Sequence, residues 1–207
     1  MTATEMTSYS QNGEDRAIVS VFGERVGRFL DLGAWHPKQL SNTRALYELG
    51  WSGVIVEPSP TPCLAQLAEY GAHTLTDERI TIVHAAIGTE RHCAQLYVSD
   101  DAVSTTETEQ FNRWNKHAKF LGKFYIPQLT LNDIFNQFGG PYDFVNIDVE
   151  GKSVDILREL LKTAAYPKCI CVEHDGRMVE ALQMATAAGY SCIMANGENL
   201  VLSRMPE

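Results

Sequence analysis

The sequence predicts an α/β fold: a doubly wound, mostly parallel seven-stranded sheet with an antiparallel last strand. Two observations carry this. Short apolar runs alternate with amphipathic stretches along most of the chain, the pattern of strands joined by crossover helices that cover both faces of a parallel sheet. The chain then closes on two apolar runs, Tyr190–Ala195 and Leu200–Ser203, joined across Asn196-Gly197. That dipeptide is a tight-hairpin signal and turns the final strand back against its neighbours.

The elements follow in order. Glu14 to Val26 carries Ala17, Ile18, Val21 and Phe22 at helical spacing. Arg28–Leu32 is a short apolar strand ending at Gly33. Ser41 or Asn42 caps a short helix that stops near Gly50. Gly53–Glu57 is a second strand, and Ser59-Pro60-Thr61-Pro62 opens a helix running to Tyr70, with Gly71 just past its end. Ile80–His84 is a third strand. Ala94–Val98 and Lys123–Leu131 read as weaker strands flanking a polar stretch. Asp143–Asp148 is a core strand, and Ser153–Leu161 follows as a helix with Val154, Leu157, Leu160 and Leu161 inward. Cys169–Val172 is a strand, and Gly176–Ala188 a helix closed by Gly189. Residues 100–122 interrupt the alternation and are expected to form an insertion or lid on a single domain spanning 1–207.

Composition excludes several classes. Seventeen Lys and Arg stand against 26 Asp and Glu, a net charge of -9 at pH 7. So acidic a chain is a poor general binder of nucleic acid or anionic membrane, and no nucleic-acid partner is expected. No apolar run reaches the roughly 18 residues of a membrane span. Met1–Asn12 is polar and lacks the apolar core of a signal peptide, so a cytoplasmic location is expected. The five cysteines contain no C-x-x-C pair, which suggests neither a zinc ribbon nor a thioredoxin-like site. Cys169 and Cys171, two apart in a strand, are expected to be buried free thiols.

Three constellations could carry chemistry. The first strand runs into Asp31-Leu32-Gly33-Ala34-Trp35-His36-Pro37. In open α/β sheets ligands bind at the carboxyl ends of strands, beside the switch in strand order, and a glycine there lets the backbone approach closely. A full G-x-G-x-x-G is absent, which weighs against a nicotinamide dinucleotide. Glu57 ends the second strand, 24 residues beyond Gly33. An acid there can accept hydrogen bonds from both ribose hydroxyls of a nucleoside, or be an ordinary acid before a Pro-rich turn. Asp148-Val149-Glu150-Gly151 and Glu173-His174-Asp175 end two further strands. Acids so close raise one another's pKa or share a cation. A divalent cation such as Mg2+ held by Asp148, Glu173 and Asp175 is one reading. A base drawn from Asp148, Glu150 or His174 that takes a proton from a substrate hydroxyl is another, and a solvated rim a third.

Ser104-Thr105-Thr106-Glu107 has the form of a capping box opening a helix. Phe111, Trp114, Ala118 and Leu121 would form its apolar stripe, with Arg113, Lys116, Lys119 and Lys123 off it. This is a packed helix with a solvated basic face, an attractor for an anionic acceptor such as a nucleotide sugar or lipid phosphate, or a local contact for nucleic acid, the first being favoured.

Taken together, Ser10-Gln11-Asn12-Gly13-Glu14-Asp15, Phe29 to Pro37, Ser41-Asn42-Thr43, Gly50 to Pro58, and the box Val145-Asn146-Ile147-Asp148-Val149-Glu150-Gly151 resemble the FkbM-type methyltransferase family. The resemblance implies a class I methyltransferase, Rossmann-like fold that uses S-adenosylmethionine to methylate oxygen, commonly a hydroxyl of a sugar, glycan or polyketide. By motif, Gly33 and Ala34 would line the methionine part and Glu57 the ribose, with Asp31 also among the cofactor-binding residues. Gln11, Glu14, Ser41 and Asn42 would shape the methyl-donor end, Ala86 with its neighbours would lie near the adenine, and Asp148 and Glu150 would face the reacting centre. The chain departs from the family pattern at His36-Pro37 and at Ser153. A nicotinamide-dependent oxidoreductase on a related sheet and a non-catalytic S-adenosylmethionine-binding module are the alternative readings.

Overall fold

In the computed structural model, residues 7–76, 78–163 and 166–204 are described. Residues 1–6 of the polar amino-terminal segment, and the last three of the chain, lie outside them. The elements are α1 (Glu14–Phe22), β1 (Arg28–Leu32), α2 (Arg44–Glu48), β2 (Ser52–Val56), α3 (Pro60–Leu75), β3 (Ile80–Val83), β4 (Ala86–Ile87), β5 (His92–Ser99), α4 (Thr108–Trp114), β6 (Phe120–Leu129), α5 (Leu131–Phe138), β7 (Phe144–Ile147), α6 (Ser153–Leu160), β8 (Cys169–Glu173), α7 (Met178–Ala187), β9 (Tyr190–Ala195) and β10 (Asn199–Arg204). Among the described residues no helix is long and apolar enough to cross a membrane.

Seven strands form one sheet in the order β3-β2-β1-β7-β8-β10-β9. The pairs from β3 through β8 are parallel, and β10 lies antiparallel between β8 and β9. The chain builds outward from β1 to β3 and then returns to place β7 on the other side of β1. The switch in strand order therefore falls between β1 and β7.

The side-chain period of two sorts the strands onto two cores. Leu30, Leu32, Val145, Ile147, Ile170 and Val172 pack with Ile134, Val154, Leu157 and Ala181 of α5, α6 and α7. Phe29, Phe144, Cys169, Cys171 and Val201 pack with Ile18, Phe22, Leu46 and Tyr70 of α1, α2 and α3. Both strand cysteines are thus buried on one face, as free thiols. Asp31 and Asn146 are register partners and take polar places on that same face.

A second, three-stranded sheet, β4-β6-β5, carries the segment expected as a lid. Several boundaries differ from expectation. The first helix ends at Phe22, where Gly23 takes a positive φ of 60°, leaving Val26 exposed. The helix α3 runs through Gly71 to Leu75. The Ser104–Glu107 capping box does not form: Thr105 bridges to Tyr97 instead, Glu107 precedes a helix that stops at Trp114, and Leu121 falls on β6. The capping box that does form joins Thr130 and Asp133 at the start of α5, an element absent from the expected set.

Candidate active site

A cavity of about 350 Å³ opens at the carboxyl ends of β1, β2 and β7, beside the strand-order switch. Gly33 sets its floor. Its φ is +81°, and a Cβ there would lie 1.7 Å from the Asp148 carbonyl oxygen. The strand ends can approach this closely only with glycine at that place. Three other lining residues, Trp35, Leu40 and Glu150, hold positive φ without being glycine, a strain that packed structure sustains mainly at functional sites.

Beneath the cavity lies a buried polar chain. Asn146 Nδ2 donates to Asp31 Oδ1 at 2.8 Å, Thr43 Oγ1 donates to Asp31 Oδ2, and Asn42 Nδ2 donates to Asn146 Oδ1 at 3.0 Å. Burial pushes the Asp31 carboxyl up, and the bonds from Thr43 and Asn146 oppose it. Glu57 is also buried. The Trp35 N–H donates to its Oε2 at 2.8 Å and the Ser59 N–H to its Oε1 at 2.6 Å. Burial carries its pKa to about 7 against these two bonds. The Ser59 side chain also bonds to this carboxylate; with a capacity of about four acceptor sites, it keeps room for a further donor.

On the opposite wall, one carboxylate oxygen from each of Asp148, Glu150 and Glu173 lies within 4.8 Å of the others. Burial first, and then mutual repulsion, pushes Glu150 and Glu173 up; burial pushes Asp148 up to about 7. The folded state therefore binds protons more tightly than the unfolded chain, whose carboxylates titrate near pH ~4. The stability this contributes is complete below the unfolded value and is lost as pH rises toward the folded one. Glu173→Gln should accordingly flatten the fall in stability between about pH 5 and pH 8, and at the upper end be more stable than the parent by about 1–2 kcal/mol. Urea unfolding in metal-free buffer measures this; an unaltered pH dependence would mark the three acids as a solvated rim.

Gln11, Asp31, Gly33, Ala34, Ser41, Asn42, Glu57, Ala86, Asp148, Glu150 and Glu173 all line the one cavity. Three expected residues do not. Glu14 is buried beside it and accepts from the Asn12 N–H and from Asn196 and Asn199 Nδ2. It ties the β9–β10 turn to α1; although burial opposes its charge, these bonds hold its pKa down. His174 stands off the cavity wall. Its Nδ1 accepts from the Gly176 N–H, which leaves Nε2 to donate to the Asn196 carbonyl. Asp175 does not join the other acids: its oxygens accept from the Gly151 and Ser153 N–H groups at the start of α6, and the acids that converge are Asp148, Glu150 and Glu173.

The loop before α4 forms the outer wall. Asp101 to Thr106, with Trp114, line the cavity. The loop is anchored where Thr105 Oγ1 donates to the Glu150 carbonyl at 2.8 Å and Lys152 pairs with Glu107. Phe111 stacks on Tyr97 with ring centroids 4.3 Å apart. The Trp114 indole N–H is buried with no hydrogen-bond partner.

The profile of the methyltransferase FkbM domain matches residues 31–192, from the Asp31 turn to the last hairpin. The chain belongs to the FkbM methyltransferase family. Solved structures agree on the fold of this FkbM domain. A methyltransferase FkbM from Methylobacillus flagellatus superposes with a TM-score of 0.52 at 13% identity over 86% of this chain, which spans 43% of that one. A precorrin-6y C5,15-methyltransferase from Geobacter metallireducens gives 0.53 at 9% identity over 98% of this chain and 93% of that one. The S-adenosylhomocysteine-bound methyltransferase PaMTH1 from Podospora anserina gives 0.52 at 8% identity over 99% and 81%. No curated protein sequence matches the chain.

Sequence reasoning assigned no role to Asn146, Trp114, Glu198 or Asn199, which also line the cavity. Asn146 was within reach, since the alternation Phe144, Asn146, Asp148 puts it on the Asp31 face. The other three come from the end of α4 (Trp114), the β9–β10 turn (Glu198) and the start of β10 (Asn199), whose approach to the cavity no local pattern records.

Proposed function

We propose that this FkbM domain is an S-adenosylmethionine-dependent O-methyltransferase acting on a hydroxyl of a sugar, glycan or related small molecule. The carrying observation is that Glu57 and Asp148 line one cavity on either side of the Gly33 turn. The residues present fit the cofactor. Glu57 keeps acceptor capacity for a ribose hydroxyl, Ala85, Ala86, Ile87 and Leu96 offer an apolar wall for a base, and Asp31, Gln11, Ser41 and Asn42 supply the polar end. The bound cofactor would supply an electrophilic sulfonium methyl to a nucleophilic oxygen.

The rest falls to the protein. Asp148, raised toward neutrality, takes the hydroxyl proton, and the Asp101–Thr106 wall with Trp114 encloses the acceptor as a lid. A divalent cation such as Mg2+ on Asp148, Glu150 and Glu173 is the second reading, favoured by their convergence. Calorimetry with S-adenosylhomocysteine tests the cofactor site. Glu57→Ala should weaken binding by about 1.5–3 kcal/mol while leaving the fold intact by circular dichroism. An unchanged dissociation constant in a folded variant would remove the ribose role. Heat from NAD, and none from S-adenosylhomocysteine, would turn the reading toward an oxidoreductase.

A further inference from the structure

The basic side chains of residues 110–132 stand outside the cavity. Arg113, Lys116, Lys119 and Lys123 are exposed, none of them lines the wall, and no Asp or Glu interrupts that stretch. The cavity wall has the opposite sign: its ionisable groups are carboxylates, with no Lys, Arg or His among the described residues. The net charge of -9 therefore averages over a segregated surface, and the local field, not the average, governs what this segment meets. Lys119 pairs with Asp100 at 3.7 Å, both side chains exposed, a geometry that contributes little. Arg113 sits over the Trp114 ring at 5.5 Å.

Two large apolar side chains are exposed on the same segment. Lys123 is the register partner of Tyr97, and cross-strand partners share a face. Tyr97 stacks on Phe111 of α4, so Lys123 and α4 lie on one face of the three-stranded sheet. Tyr125, two residues beyond Lys123, shares that face and is 69% exposed. Leu121, in the bulge opposite Val98 and Ser99, is 59% exposed. The cations come from α4, the turn after it and β6, with an exposed leucine between Lys119 and Lys123; that is a broad surface and not a phosphate cradle. Nor is it built to stack bases, since the Tyr97 and Phe111 rings are spent on each other and Leu121 has no ring to offer. Lysines drawn to anionic headgroups, a tyrosine at headgroup level and a leucine that enters the acyl boundary suit a bilayer surface. We infer that the α4–β6 face docks on an anionic lipid bilayer. Because α4 ends in Trp114, which lines the cavity, docking holds the cavity beside the lipid. The inference goes beyond the methyltransferase reading and does not depend on it.

The test is flotation of the whole chain at low salt with vesicles of phosphatidylcholine, either pure or carrying about a third phosphatidylserine. The anionic vesicles should be bound at least about tenfold more tightly than the neutral ones, and salt at about 0.5 M should release the protein. Each cation near such a surface is worth about fivefold, so Lys116→Gln together with Lys123→Gln should weaken binding by at least about tenfold. Leu121→Ser together with Tyr125→Ser should weaken it by about fivefold or more with no change of charge. Arg91→Gln with Lys162→Gln removes two equally exposed cations elsewhere and should stay within about twofold of the parent. Circular dichroism checks that each variant is folded. Equal binding to both vesicles, no binding to either, or an equal loss in the Arg91 and Lys162 variant overturns the inference. So does a uridine oligonucleotide or inorganic phosphate that binds the parent more tightly than the anionic vesicles and loses affinity with Lys116 and Lys123, which would give the face to nucleic acid or to a free phosphate. Failure to bind S-adenosylhomocysteine, measured separately, would remove the cofactor reading and leave the vesicle result standing.

Discussion

Gly33→Ala should abolish S-adenosylhomocysteine binding and lower the stability of the domain by about 2–5 kcal/mol. The strain has two sources. A φ of +81° costs an L-residue about 1–2 kcal/mol, and the added Cβ would overlap the Asp148 carbonyl oxygen at 1.7 Å, a backbone atom that no rotamer change can move aside. The ladder on both sides is already committed. The Gly33 N–H donates to the Val56 carbonyl at 2.9 Å, and the Asp148 N–H donates to the Leu32 carbonyl at 2.9 Å. Relief therefore requires β1 and β7 to part at the switch point, which separates Asp31 from Asn146 and moves the Glu57 and Asp148 walls relative to one another. In thermal unfolding the variant should melt about 5–15 °C below the parent. Parent-like melting together with parent-like binding would mean that the two strand ends are not in contact in solution.

What the sequence made legible at this site is what strand periodicity controls. Gly33, Glu57 and Asp148 each follow or end a short apolar run, so their meeting at one rim follows once the runs are parallel strands. The twofold alternation also places Cys169 and Cys171 inside and Asp31 on the face of Asn146. Turn geometry was not legible. Asp175 and Glu150 have φ values of 49° and 48°; these left-handed turns aim Glu150 into the cavity and Asp175 at the start of α6, away from the cation that the sequence reading gave it. Glu14 shows a different limit. Its burial comes from the β9–β10 hairpin, more than 180 residues away, and no local pattern records that contact. Thr105 lies in a sequence with the form of a helix cap, yet its hydroxyl is drawn to the Glu150 carbonyl, a tertiary bond that outweighs the local one. The α5 signal was present in the sequence, with Leu131, Ile134, Phe135 and Phe138 at helical spacing behind Thr130 and Asp133. Extending the preceding strand to Leu131 concealed it.

Asp148→Asn should cut turnover by about 10²–10⁴-fold and leave the S-adenosylhomocysteine dissociation constant within about threefold of the parent. Asp148 follows β7 on the rim it shares with Gly33 and Glu57, but it belongs to the acid cluster and not to the ribose end. The amide is nearly isosteric but can carry neither the negative charge nor the transferred proton. The pH profile gives the sign. A base works ionised, and burial raises Asp148 to about 7, so the parent rate should climb as pH rises through about 7 and level off above it. That limb should be missing from the variant's residual activity. The pair shares a hydrogen bond with Glu173, so the observed midpoint belongs to the cluster as a whole. Chelation separates the two chemistries. Activity that survives EDTA leaves the proton to the carboxylates, whereas activity lost to EDTA and restored by Mg2+ places a cation between Asp148 and the hydroxyl, lowering the hydroxyl's pKa. Methyl transfer at the parent rate by a folded, cofactor-binding Asp148→Asn protein would defeat both, because each needs the charge that the substitution removes.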